Sequence, residues 1–249
     1  MADVKIDAEL LFKRLEKIQS HWLSHQSSDW DGADAICIPM GTSNSEQVNY
    51  SKPSAFHLYL LGYEFPETIM LLTKNEFFVM AHPKKCGYIE NAAKEKPDHP
   101  IKIKCFPKGK DEAANQTNFN ILIDAVKSNG GKKIATILKG EFLGNFIPSW
   151  TQSLTASNLE RVECSVALAK IFSEKDDSEI ELCKRAAVLS NKVLKHGFVV
   201  EMEDIIGIVF VNISTDTPHP HPLLIYFFNN YFYFLSFFLN MFFLWFGSR

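Results

Sequence analysis

The stretch TIMLLTKNEFFVMA, Thr68 to Ala81, decides the reading of the fold. Thr68 to Thr73 and Glu76 to Ala81 are apolar, strand-forming runs. They are joined only by Lys74-Asn75, which has the length and chemistry of a tight hairpin. Upstream, Ser54 is placed to cap a helix running to Leu61. Gly62 sits where a left-handed residue ends it, and Pro66 keeps it from resuming. Further back, Ala35 to Ile38 is a short apolar run after Asp31-Gly32, stopped by Pro39 and Gly41, which suits a buried strand. The first element is an amphipathic helix: Ile6, Leu10, Leu11, Leu15, Ile18 and Trp22 recur at threes and fours behind Asp7 as N-cap.

Downstream of the hairpin the spacing predicts a helix over about 84–94, a strand from Ile101 to Phe106 and a helix over about 117–128. A stop at Gly130-Gly131 and a strand from Ile134 to Leu138 follow. A helix from about Glu141 to Ser153 and a short strand near Leu159 to Val162 close the unit. Strands alternating with helices indicate an α/β fold, a mixed, mostly parallel sheet flanked by helices. Residues 1–173 are expected to form this lobe. Glu174-Lys175-Asp176-Asp177 makes a polar joint, and Ser178 to His196 is an amphipathic helix whose apolar face needs something packed on it.

Composition narrows the function less than the fold. The apolar fraction of 46% and charged fraction of 22% exclude collagen-like and disordered classes, and a net charge of −3 disfavours duplex binding driven by counterion release. The five cysteines, Cys37, Cys86, Cys105, Cys164 and Cys183, show no C-x-x-C and no close Cys/His pairing, so they read as reduced thiols of an intracellular protein. No apolar h-region follows Met1, so a secretory signal is not expected. The phosphate-loop, dinucleotide, zinc-protease and serine-elbow patterns are missing from the sequence. His57 reads as a helix-surface or core-edge residue, and His219 and His221 have no third ligand in view. No catalytic, cofactor-binding or metal-binding residue is assigned. One charged feature stands out: Lys84, Lys85, Lys94, Lys96, Lys102, Lys104, Lys108 and Lys110 face only Glu90, Glu95 and Asp98 between them. Lysines on an edge strand and its neighbouring helix guard a sheet against pairing with other chains. Contact with an acidic partner or with nucleic-acid phosphate is the sharper alternative.

Residues 207–249 differ from everything before them. Ten of the 21 Phe lie there, and Asp216 and Arg249 are its only Asp, Glu, Lys or Arg. Leu223 to Phe246 is long enough to span a bilayer as a helix and would then act as a tail anchor. Its Phe, Tyr, Asn, Ile and Leu are also the residues expected when A- and T-rich noncoding DNA is read through, which is the reading preferred here.

From Val48 to Leu72, VNYSKPSAFHLYLLGYEFPETIMLL resembles the N-terminal lobe of the large subunit of the FACT histone chaperone, above all at Leu61-Gly62-Tyr63-Glu64 and Glu67-Thr68-Ile69-Met70. Ser20-His21-Trp22, Ala33-Asp34-Ala35-Ile36, Asn129 to Ile134, Phe146 and Ser149-Trp150 match in order. Lys175 to Glu179 and Lys184 to Ala187 resemble the family's interlobe linker and first second-lobe helix. The resemblance covers about residues 4–205. It implies a fold similar to creatinase and prolidase in a noncatalytic, cofactor-free member. The implied role is a nuclear, chromosomal one in nucleosome reorganisation during transcription, replication and repair. Core histones are the implied partners, with an HMG-box subunit contacted through regions missing here. On this reading residues 174–206 are the linker and the first helix of a truncated pita-bread lobe. The alternatives are a truncated creatinase or prolidase relative, whose Asp, Asp, His, Glu and Glu metal ligands would lie in sequence not present, and a membrane-tethered interaction protein.

Overall fold

The computed structural model describes residues 4–42, 51–128, 130–139, 142 and 144–213, with 207–213 as backbone alone. The chain divides into two units, Met1–Glu174 and Lys175–Arg249.

The first unit is built on six strands, β1 (Ala35–Met40), β2 (Thr68–Leu72), β3 (Glu76–Ala81), β4 (Lys102–Pro107), β5 (Lys133–Thr136) and β6 (Glu160–Glu163), in the order β4-β3-β2-β1-β5-β6. The β2–β3 hairpin is as expected, with Met70 opposite Val79 and Leu72 opposite Phe77. β2 is antiparallel to β1 as well, whereas β3–β4, β1–β5 and β5–β6 are parallel. Five strands therefore run one way and only β2 runs back. Helices α1 (Ala8–Ser24), α2 (Lys52–Leu61), α3 (Pro83–Lys94) and α6 (Ser165–Ser173) cover one face, and α4 (Glu112–Lys127) and α5 (Phe146–Ala156) cover the other.

Strand alternation feeds both cores. Ile36 and Ile38 join the larger cluster with Leu11, Leu15 and Phe56, while Ala35 and Cys37 face Phe119, Leu122 and Trp150. Because both faces are covered, every residue of β1 and β2 is buried. Trp22 is fully enclosed, and its Nε1 donates to the Ala33 carbonyl at 2.9 Å.

Two segments matched from the sequence meet in space. The Asp34 carboxylate, just before β1, accepts from the amides of Lys132 and Lys133 at 2.7 and 3.0 Å, fixing the start of β5 beside the start of β1. Gly131 is required there because a Cβ would lie 2.7 Å from the Val126 carbonyl oxygen and 3.0 Å from Asp34 Cβ.

Several expectations need correction. Ser51, not Ser54, caps α2, since Pro53 is admitted only in a first turn. Gly62 does end that helix, at φ 72°. β1 continues through Pro39 to Met40; its parallel pairing with β5 involves Ala35 and Ile36, so Pro39 lies beyond that ladder. β5 is shorter than expected, ending at Thr136. α4 begins at Glu112 rather than about 117, its polar first turns tied back by Asn115, which accepts from the Gly109 amide at 2.9 Å. α5 starts at Phe146 rather than Glu141, after Gly144 at φ 83°. α6 lies outside the elements expected from the sequence. His57 is no surface or edge residue: it is completely buried, and Nδ1 accepts from the Phe65 amide at 3.3 Å.

The second unit opens with α7 (Asp177–Val193), one residue earlier than expected. Asp176 accepts from the Glu179 amide at 2.9 Å, and Glu179 accepts from the Asp176 amide at 3.0 Å, completing a capping box. The helix does not end at His196. A π-helical turn, Leu194–Val199, leads into α8 (Val200–Ile213). No residue of α7 is buried; Leu182 and Leu189 are 63% and 64% exposed.

Candidate functional site

Because five strands point the same way, their carboxyl ends gather at one edge of the sheet, where the loops leading into helices are free to bind. A groove of about 600 Å³ opens there. Its walls are the turns leaving β3 and β4, the residue before β2, and the first turns of α4 and α5, over Phe119 and Phe146.

Lys108 anchors it. Its ammonium lies 2.7 Å from a Glu67 carboxylate oxygen and 4.7 Å from the Phe146 ring centroid, so charge and π-face hold it together. Lys110 and Glu112 line the same opening. Beside it Lys85 donates to the Pro66 carbonyl at 2.6 Å; burial holds its ammonium below the usual lysine range, opposed by Glu67. His82 caps α3, its Nδ1 accepting from the Lys84 amide at 3.3 Å. The Asp111 and Asn145 side chains make no capping bond to α4 and α5. The groove thus offers ammonium groups, first-turn amides, two carboxylates and an apolar floor. A shallower depression on the outer face of α5, around Ile147 and Thr151, carries no titratable side chain.

The lysine-rich stretch does not form one surface. Lys84, Lys85, Lys108 and Lys110 belong to the carboxyl edge. Lys94, Lys96 and Lys102 belong to the opposite end, where Lys102 donates to the Pro97 carbonyl at 2.8 Å. Lys104 pairs with Glu76 on neighbouring β3. β4 is an edge strand with Lys102 and Lys104 outward, as the guarding role requires.

Glu67, quoted above only for its family resemblance, and Asn115 and Asn145 carry no site signal in the sequence, because only the topology brings positions so far apart in the chain together. Among the described residues no group of three or more His, Cys, Asp or Glu could hold a metal, and no helix is long and apolar enough to cross a membrane. His219, His221 and the Leu223 to Phe246 tail lie outside the described residues. Burial pushes the Cys37 thiol up to about 12 and raises Cys164 as well, which leaves both poor nucleophiles.

The first unit is thus a three-layer α/β lobe with a mixed-charge groove at its carboxyl edge and a lysine-guarded edge strand. The family model described as the FACT complex subunit SPT16 N-terminal lobe domain matches residues 6–167, and the chain belongs to that family. It is 31% identical over 212 residues to the FACT complex subunit ctc-2 of Neurospora crassa and 30% identical over 208 residues to the FACT complex subunit SPT16 of Arabidopsis thaliana. These alignments cover 83% and 81% of this chain. The chain spans about one fifth of the length of those relatives. The solved N-terminal domain of SPT16 from chickpea superposes with a TM-score of 0.72 at 28% identity, covering 82% of this chain and 47% of that one. The family is thus that of the FACT subunit, not of the metallopeptidases considered as the alternative.

Proposed function

We propose that this chain contributes the N-terminal lobe's share of a FACT histone-chaperone subunit: it binds histone or histone-derived peptide by shape and charge, without bond chemistry, on nuclear chromatin. The match to the SPT16 N-terminal lobe over residues 6–167 carries the reading. The groove at the carboxyl edge is the binding site this proposal assigns, with Lys108 and Lys110 meeting acidic or carbonyl groups and Glu67 and Glu112 meeting basic ones. Residues 174–206 are proposed as the linker and first helix of a second lobe, whose burial the apolar positions of α7 await. Nucleosome handling in transcription, replication and repair is proposed for the assembly the lobe serves.

Equilibrium binding of purified core histones to the chain across a salt series tests this. Saturable binding that persists at physiological salt and weakens at least threefold in the double variant Lys108→Glu and Lys110→Glu is the expected result. Binding unaffected by the double variant would remove the groove from the proposal. Binding no stronger than to an unrelated acidic protein would overturn the histone reading itself.

A further inference from the structure

The second unit carries an apolar surface of its own. On α7, Leu182, Ala186, Leu189 and Val193 follow one another at spacings of four, three and four, which places them in one narrow stripe along the helix. All four are exposed, Val193 by 40% and the two leucines by more. A stripe of this spacing is the seam along which two helices interlock. The charges of the helix are divided along its length. Asp177, Glu179 and Glu181 stand in its first turns, Lys192 in its last turn and Lys195 just beyond. Arg185, between them, pairs with Glu181 of its own helix at 3.4 Å.

We propose that this stripe pairs two copies of the chain through α7, as an antiparallel seam with two-fold symmetry. Centred between Ala187 and Val188, the two-fold sets Leu182 opposite Val193 of the second copy and Ala186 opposite Leu189 of the second copy. A small residue then meets a large one at the centre, and the seam is complementary to itself. A parallel pair sets Ala186 against Ala186, which leaves a gap, and aligns like charges along the whole helix. In the antiparallel pair Glu181 lies on the side of the seam along which Lys192 and Lys195 of the second copy pass, and the two helix dipoles oppose.

The self-complementary register and the division of charge single out a second copy as the occupant. A second lobe packed on α7 takes the same stripe, so it and the second copy exclude each other. The pairing rests on the helix alone and not on the histone reading. The 17 residues of α7 make a seam roughly 25 Å long. That is at the small end of specific interfaces, so the pair is expected to dissociate in the micromolar range.

Sedimentation equilibrium of the whole chain over a dilution series tests this. The mass should move between 28.3 kDa and twice that value, and binding of an apolar dye per chain should rise as dilution frees the stripe. Lys192→Glu with Lys195→Glu, and separately Glu181→Lys, should each weaken pairing at least fivefold. An equal mixture of the two variants should regain it, because opposite charges then face each other across the seam. Benzoylphenylalanine in place of Leu182, mixed with isotope-labelled parent chain, should photo-cross-link to Val193 or its neighbours in the labelled copy. A mass of 28.3 kDa at every concentration overturns the proposal. So do cross-links that stay within one copy or reach the second copy outside α7, and a variant mixture that pairs no better than either variant alone.

Discussion

Asp34→Ala removes the acceptor that joins the two halves of the sheet. The carboxylate takes two backbone N–H groups, from Lys132 at 2.7 Å and Lys133 at 3.0 Å, the second partly buried. A hydrogen bond to a charged group contributes roughly 1.5–3 kcal/mol when its loss leaves the partner unsatisfied. Water replaces the acceptor at the exposed Lys132 amide, so that bond lies at the bottom of this range or below it, while the Lys133 bond keeps more of its value. The variant is expected to lose about 2–3 kcal/mol. For a unit of this size that corresponds to a fall in melting temperature of about 5–10 °C. Urea unfolding followed by tryptophan fluorescence measures it directly, since Trp22 and Trp30 sit in the adjoining core. Asp34→Asn keeps one neutral acceptor oxygen and should lose about half as much. A loss below about 0.5 kcal/mol for Asp34→Ala, with an unchanged denaturant slope, would refute the idea that this carboxylate holds β5 against β1.

Three further outcomes follow from the same structure. Gly131→Ala forces a Cβ to within 2.7 Å of the Val126 carbonyl oxygen and should cost about 2 kcal/mol or more, read by the same unfolding curve. Burial holds the His57 imidazole down at about 3, against an ordinary 6.5, with Lys85 adding to the effect. The folded chain favours neutral His57, so its contribution is whole above about pH 6.5 and is lost as pH falls toward 3, on the order of 5 kcal/mol in total. His57→Asn should flatten that part of the stability–pH curve, and an unchanged slope would show that other groups set it. Finally, Leu182→Glu together with Leu189→Glu should cut binding of an apolar fluorescent dye several-fold, because both side chains are about two-thirds exposed on α7. Equal dye binding by parent and variant would place the sticky surface elsewhere.

The elements that were legible in the sequence are those whose pattern is local. The β2–β3 hairpin announces itself through two apolar runs and a two-residue gap, α1 through its spacing behind Asp7, and the end of α2 through Gly62. The misread starts are those governed by distant partners. Glu112 to Asn115 looks like loop because its outward residues are polar, and the turn is secured by Asn115 reaching back to Gly109. Ser165 to Ser173 carries no helix expectation from the sequence, yet Ala167, Leu168 and Ile171 are buried under the sheet. The lysine-rich stretch reads as one feature because its members are neighbours in sequence; α3 and β4 carry them to opposite ends of the lobe. The groove was the least legible feature, since Glu67, Lys108 and Asn145 meet only through the strand order.

That strand order also bears on how the chain is made. Asp34 and Lys132 are 98 positions apart, and the strands beside them, β1 and β5, are neighbours in the finished sheet. At roughly 5–20 residues per second a ribosome takes about 5–20 s to supply that length. Through that interval β1 can pair with β2 and the hairpin behind it, but its other side offers unsatisfied backbone to the crowded surroundings. A newborn lobe therefore passes through a waiting state with a half-finished sheet. Its vulnerability to misassembly should peak after β4 has emerged and end when β5, Lys133–Thr136, has left the exit tunnel.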